Sequence, residues 1–265
     1  RDAQESRGLG DVYKRQLYSF RAQQENFIDN SFDPIISYGI HAAINHYSAT
    51  PETDIAIEPG NFLLADTGGH YYEGTTDTTR TIVMGSVNDE QKKYFTAVLR
   101  GMLNLGNAKF RYGCTGVNLD YLARGPLWEM GQDFNHGTGH GVGYLLNVHE
   151  GPNSFRWRII QGDNAVLEEG MITSDEPGYY VENQYGIRHE NLLVCKKAEK
   201  TSFGQFMCFE HLTMVPFDLD AVVPELMTVQ ERALLNNYHT QVYKKISPYL
   251  EEEEKEWLKE ATREI

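Results

Sequence analysis

Four short segments hold most of the clustered aspartate, glutamate and histidine residues of this chain. The first, DTGGHYYEGTTDTTRT, runs from Asp66 through Asp77 to Thr81. Asp66 closes the apolar run Phe62-Leu63-Leu64-Ala65, and an unpaired carboxylate at the end of a buried strand is costly. A metal ion would remove that cost. Two aspartates capping turns at the ends of a hairpin would account for the pattern as well. The second segment is HGTGHGVG, residues 136–143, followed by NVHEGP, residues 147–152. It sets His136, His140 and His149 among glycines, which let backbone and ligand approach closely. The same glycines exclude a regular helix, so this is not the HExxH arrangement of zinc proteases.

The third segment, TSDEPGYY, spans residues 173–180, and its Pro177-Gly178 pair demands a turn that leaves Glu176 at the end of a strand. The fourth is YGIRHEN, residues 185–191. In a strand, Arg188 and Glu190 share one face and His189 points to the other. Together the segments offer histidine and several carboxylates from different strands, with no thiolate. That hard, oxygen-rich set suits Mn²⁺ or Co²⁺ better than a structural zinc site. Two such ions sharing carboxylates at ~3.5–4 Å would hold and activate water for hydrolysis.

The elements that must position these groups are legible in outline. Strands are predicted over Phe62–Asp66, Thr78–Met84, Met171–Ser174 and Leu192–Cys195, the first two forming a hairpin. A helix is predicted from Asp89 to Phe110, with Phe95, Val98, Leu99 and Met102 at helical spacing. A second, over Asn118–Met130, should be kinked or split by Pro126. Thr228 and Glu231 make a capping box that opens a third. Ser247-Pro248 starts a last helix with Tyr249, Trp257, Leu258 and Ala261 as its apolar stripe, and Glu251–Glu254 reads as a solvated face near its N-terminus. The class is α+β.

Length and charge narrow the function. The 265 residues are enough for one large domain or two small ones, and the net charge of −14 argues against a nucleic-acid partner held through phosphates. No apolar stretch approaches the ~20 residues that span a bilayer, so no membrane role is expected. Cys114, Cys195 and Cys208 form an odd set without a C-x-x-C pair, as in a reduced, cytoplasmic protein. Residues 1–16 are polar and read as a disordered or non-native leader. With no initiator methionine, the chain is expected to be a piece of something longer.

HGTGHGVG with NVHEGP, EGTTDTTRT, DEPGYY and YGIR-x-E resemble the motifs of the pita-bread metallopeptidases. That group comprises methionine aminopeptidase, prolidase and aminopeptidase P. The match is closest to the aminopeptidase P branch of the larger cytosolic type, and it covers the chain from Leu17 onward. The tail FEHLTMVP, residues 209–216, resembles the extra C-terminal segment of that branch. The resemblance implies a pita-bread catalytic domain over 17–200, a curved and mostly antiparallel sheet covered by helices. A helical C-terminal extension over 201–265 would pack on it. It further implies that Asp66, Asp77, His140, Glu176 and Glu190 ligate two divalent ions, most simply Mn²⁺, with Co²⁺ or Zn²⁺ as alternatives. His136 and His149 would orient the peptide carbonyl, and Glu176 would also shuttle protons. His46, Arg188 and Tyr180 would line the substrate site. His189 stands where an aliphatic or small residue is expected, and strand alternation turns it away from the metals.

The expected reaction is hydrolysis of the bond between an N-terminal residue and a following proline, in a cytoplasmic enzyme that could form a homodimer. A prolidase restricted to Xaa-Pro dipeptides is the rival within enzymes. A non-catalytic binding module of the same fold is the rival outside them, and such modules lose the ligands that this chain retains.

Overall fold

The computed structural model describes residues 9–44, 47, 50, 53, 55–145 and 147–265, so His46 lies outside the described residues. Phe62, Leu63 and Leu64 are at most 2% exposed and draw strand β3 (Asn61–Thr67) into the interior. β3 lies between β2 (Ile35–Tyr38) and β6 (Thr78–Met84), both antiparallel to it, with Asp66 opposite Thr79. The expected pairing of the two apolar runs is present, but its connection is no simple turn. Residues between them fold out as β4 (Gly69–Tyr71) and β5 (Gly74–Thr75), which join β1 (Phe27–Asn30) in a separate sheet.

The largest sheet runs in the order β7 (Lys109–Arg111), β14 (Gly204–His211), β13 (Asn191–Thr201), β10 (Ile172–Asp175), β8 (Gly139–Val142), β9 (His149–Phe155). A ribbon of β11 (Gly178–Val181) and β12 (Tyr185–Arg188) follows the turn at Pro177. Every pairing among these strands is antiparallel. β14 opens the stretch expected to form a C-terminal extension, yet it is hydrogen-bonded between β7 and β13 and so belongs to the same sheet.

Helix α1 (Leu9–Ala22) includes residues 9–16, which the sequence suggests are an unstructured leader. Leu9, Val12, Tyr13, Leu17 and Phe20 have helical spacing, a weak signal that the polar composition masks. Helix α2 (Asp89–Gly106) is capped by Asn88 and Gln91. It stops short of the predicted Phe110 because Phe110 pairs with Met207 at the sheet edge. One face of α2 packs Phe95 and Val98 against Phe62, Leu127 and Ile187; another packs Leu99 and Met102 against Phe217, Leu235 and Val242. Truncating a leucine buried this fully costs about 2–5 kcal/mol.

The helix predicted over 118–130, with a kink or split at Pro126, is two, α3 (Gly116–Leu119) and α4 (Tyr121–Trp128). The division falls at Asp120, whose carboxylate is held by Arg124 and Thr138, and Pro126 sits inside α4. Helix α5 (Val229–Ile246) opens on the Thr228–Glu231 capping box, as predicted. Ser247-Pro248 forms only a 3₁₀ turn, and α6 (Glu252–Ala261) begins after Glu251, with its acidic first turn in solvent. Of the apolar stripe expected there, Leu258 is buried while Tyr249 and Trp257 are exposed. Among the described residues no helix is long and apolar enough to cross a membrane, and all three cysteines are free.

Candidate metal centre

His140 sits on β8 between two glycines that the packing requires. A Cβ on Gly139 would lie 1.8 Å from the Ser174 carbonyl oxygen, and one on Gly141 would lie 2.1 Å from that of Glu150. Only glycine lets β8 come this close to its neighbours. His140 Nδ1 is 2.8 Å from the Gly141 carbonyl oxygen. A carbonyl only accepts, so the ring proton is placed on Nδ1 and Nε2 presents a lone pair. Nε2 lies 3.3 Å from Glu176 Oε1 and 3.4 Å from Asp77 Oδ2.

The carboxylates arrive from four directions. Asp66 comes from β3, Asp77 from the residue before β6, Glu176 from the turn after β10 and Glu190 from the link between β12 and β13. Backbone bonds hold the last two: Glu176 N–H donates to the Thr138 carbonyl at 2.8 Å, and Glu190 N–H donates to that of Thr79 at 3.1 Å. Ligand atoms of Asp66, Asp77 and Glu190 lie within 4.8 Å of one another, as do those of His140, Glu176 and Glu190, and of Asp77, His140 and His149. Asp77, His140 and Glu190 thus each belong to two groups. With His136 and Arg188, these residues line one cavity of about 800 Å³. A slightly larger one, of about 890 Å³ and lined by Ile36, Leu63, Ile82 and Leu212, contains none of the predicted site residues.

The charge balance of this cavity favours cations. Burial, reinforced by the carboxylates of Asp66 and Glu176, pushes the Asp77 carboxyl well above the usual range. Burial and Asp77 do the same to Glu190, and burial raises Glu176. Burial alone would lower Arg188, but the Tyr180 hydroxyl and the Asp66 carboxylate outweigh it and hold the guanidinium charged. Arg188 Nη2 is 2.5 Å from Asp66 Oδ2, while Asp66 Oδ1 is buried without a hydrogen-bond partner among the described residues. Clustered carboxylates, an imidazole lone pair and an orphaned buried oxygen form a donor set that two divalent ions fit.

Arg188 also joins the predicted substrate residues. Its Nη1 donates to the Tyr180 hydroxyl at 2.9 Å, and that hydroxyl stands 2.9 Å from His136 Nε2. His136 Nδ1 is 2.8 Å from the Gly137 carbonyl oxygen, so Tyr180 donates onward to Nε2. His149 packs edge-on against His140 at 4.0 Å between ring centroids. His189 points away from the centre into the core, edge-on to Phe95 at 4.4 Å, and burial lowers its pKa to about 3.

Sequence reasoning missed several supports. Thr79 Oγ1 donates to Glu190 Oε2 at 2.7 Å and accepts from Arg188 Nε at 3.2 Å. Its place two residues after Asp77, on one strand face, is the available signal. Arg80 is buried across the strand from it, donating to the Glu190 carbonyl at 2.6 Å and to Asn191 Oδ1 at 2.7 Å. Arg124 is wholly buried and donates to Asp120, Asp133 and the carbonyls of Phe134 and His136. An arginine in the otherwise apolar stretch LARGPLW is its only trace.

An antiparallel α+β frame whose strand ends bring together clustered carboxylates and histidines able to hold metal ions is the arrangement of a metal-dependent class of proteins. The chain belongs to metallopeptidase family M24, whose profile matches residues 12–197; that of the family's C-terminal region matches 205–265. A protein of Arthroderma otae named "Probable Xaa-Pro aminopeptidase P" is 44% identical over 94% of this chain, and the chain covers 41% of that protein. Aminopeptidase P1 of Arabidopsis thaliana is 42% identical over 94% of the chain, which covers 39% of it. The chain thus spans about two fifths of the length of these relatives. Among solved structures, the X-prolyl aminopeptidase of Caenorhabditis elegans, described as a cytosolic enzyme with a di-nuclear active site, superposes with a TM-score of 0.88. The two are 37% identical over 97% of this chain and 42% of that one. A prolidase from Pyrococcus furiosus gives 0.59 at 33% identity, over 68% of this chain and 52% of that one. The fold is the expected pita-bread α+β architecture.

Proposed function

We propose that the protein hydrolyses the peptide bond between an N-terminal residue and a following proline, using two divalent ions held by Asp66, Asp77, His140, Glu176 and Glu190. The observation that carries the reading is the convergence of these groups with His136, His149 and Arg188 on one cavity. Its support from outside is the likeness to X-prolyl aminopeptidases over nearly the whole chain.

Bound there, two divalent ions would supply Lewis-acid chemistry that makes water a competent nucleophile near neutral pH. Glu176 takes the proton of the attacking water and returns it to the departing proline nitrogen. Burial raises its pKa, and it lines the cavity 3.3 Å from His140, as suits a group that exchanges protons with the reacting water. His136 and His149 flank the scissile carbonyl and stabilise the charge that develops on its oxygen. Tyr180, itself oriented by Arg188, sets the His136 ring. An Xaa-Pro amide has no N–H, so peptidases that need that donor cannot use it, and a site relying on carbonyl contacts can.

The hard donor set favours Mn²⁺, and the free cysteines agree with a reducing, cytoplasmic setting. A homodimer is the proposed assembly, to be read from the molar mass in solution. The test of the reaction is release of the first residue from an Xaa-Pro-Xaa tripeptide by the Mn²⁺-loaded protein, against an Xaa-Pro dipeptide. Cleavage of the tripeptide supports the reading. Cleavage of the dipeptide alone would make the protein a prolidase, the alternative favoured by the likeness to the Pyrococcus enzyme.

A further inference from the structure

Glu190 belongs to two of the ligand groups, yet it lies in the link between β12 and β13, where no strand ladder holds it. Its backbone is fixed from β6 instead. The Glu190 N–H donates to the Thr79 carbonyl at 3.1 Å, and the Glu190 carbonyl accepts from Arg80 Nη1 at 2.6 Å. Arg80 is buried, and its remaining donors reach the C-terminal region. Nε donates to the Pro216 carbonyl at 3.1 Å, while Nη2 donates to the Val215 carbonyl at 2.7 Å and the Tyr238 hydroxyl at 3.1 Å. Nη2 also holds Asn191 Oδ1 at 2.7 Å, and the guanidinium lies over the Phe217 ring at 4.1 Å from its centroid.

Every acceptor of Arg80 among the described residues is neutral: carbonyls, an amide and a hydroxyl. The arginine therefore does not serve an ion pair. A planar fork with all three nitrogens engaged is a rigid spacer, because moving any acceptor leaves a buried donor unsatisfied. One side of the spacer is the Glu190–Asn191 backbone and side chain. The other side is the segment 215–216 and Tyr238 on α5, whose hydroxyl also accepts the Val215 N–H at 3.3 Å. The placement of the C-terminal region is thus transmitted, through one guanidinium, to the backbone of a shared ligand. Lysine, a point donor, cannot span both sides.

We propose that Arg80 is a positioning residue through which the C-terminal region, by Val215, Pro216 and Tyr238, sets Glu190 and so decides whether two metal ions are held at once. The inference rests on the dinuclear reading, and the test separates the two. The full chain and its Arg80→Lys, Tyr238→Phe and Leu258→Ala variants are titrated with Mn²⁺ by calorimetry and by electron paramagnetic resonance. The wild type should bind two ions and show the spectrum of a spin-coupled pair. Arg80→Lys should weaken the second ion by about 10- to 100-fold, the scale of lost outer-shell support, and give the signal of isolated Mn²⁺. Tyr238→Phe takes one hydroxyl from the fork and should shift both readouts the same way, by about tenfold at most. It decides the matter should Arg80→Lys fail to fold. Leu258→Ala loosens the C-terminal core but removes none of the hydrogen bonds of Arg80, so its coupled spectrum should persist. An unchanged second affinity and coupled spectrum in Arg80→Lys, or in Tyr238→Phe if the lysine variant does not fold, overturns the inference alone. Loss of the pair in Leu258→Ala also overturns it, because general loosening would then be the cause. A wild type that binds fewer than two ions overturns the dinuclear reading and this inference with it.

Discussion

Arg188 and Asp66 form an ion pair at 2.5 Å that leaves one oxygen of the aspartate buried and, among the described residues, unpartnered. The guanidinium thus neutralises one side of a carboxylate whose other side is open for a cation. Through Nη1 the same arginine reaches Tyr180, and through Nε it reaches Thr79. Replacing it with alanine would leave a buried charge uncompensated, at a cost of about 3–5 kcal/mol. Urea unfolding of Arg188→Ala in chelator should show that loss as a lower midpoint with little change in slope. A midpoint equal to that of the wild type would mean the pair contributes nothing to the metal-free fold.

Metal binding should release protons. Burial holds Asp77, Glu176 and Glu190 above the usual carboxylate range, Asp77 and Glu190 well above it. A carboxyl raised in the folded state favours the fold below its ordinary unfolded pKa and loses that advantage as pH rises through the folded value. The metal-free protein should therefore lose this contribution from about pH 4 upward, and added Mn²⁺ should restore stability most near neutrality. Calorimetric titration with Mn²⁺ in two buffers of different ionisation enthalpy should report net proton release and an affinity that rises with pH. An affinity independent of pH would contradict the charge balance of the cavity.

His239 supplies an opposite slope. Burial lowers its pKa from the ordinary 6.5 to about 4, and its Nε2 accepts the Phe217 N–H at 3.1 Å. A histidine that stays neutral in the fold but takes a proton when unfolded weakens the fold as pH falls from 6.5 toward 4. The slope is about 1.4 kcal/mol per pH unit. Glutamine can accept the same N–H without titrating, so His239→Gln should flatten the dependence by about that amount. Denaturation curves of both proteins, taken at intervals of about one pH unit between the two pKa values, check it. Parallel profiles would refute it.

Arg124 should matter to catalysis without touching the metals. Its Nη2 donates to the His136 carbonyl at 2.8 Å and its Nη1 to that of Phe134 at 2.7 Å. Lysine cannot span these acceptors, so Arg124→Lys should let the His136 segment drift. Misplacement on the ångström scale costs about 10²-fold in rate. Activity should fall by that order while metal content by plasma emission stays at two ions per chain, in keeping with the dinuclear reading. Loss of both together would mean that the arginine supports the whole centre rather than the histidine.

Much of the metal centre is legible in local sequence patterns. The acid after Phe62-Leu63-Leu64-Ala65 is singled out by burial cost, and the glycine-flanked histidines by backbone access. Strand alternation is enough to separate Glu190 from His189, which the fold places in the core beside Phe95. The Thr228–Glu231 cap is equally local, and it forms as predicted.

The departures from expectation share a different physical origin. The end of α2 at Gly106, the break at Asp120 and the early start of α1 depend on partners far along the chain or on a weak periodicity. Phe110 becomes a strand because Met207 offers it a ladder, and Asp120 is claimed by Thr138 from another element. The same holds at the centre. Residue types and spacing show that this chain offers hard candidate ligands, and the family resemblance is what assigns their roles. Only the tertiary fold decides that Arg188 shields Asp66, that Thr79 braces Glu190 and that Arg80 joins Glu190 to Val215. Those contacts join residues that are remote in sequence, and their energies come from shared burial, which no local pattern encodes.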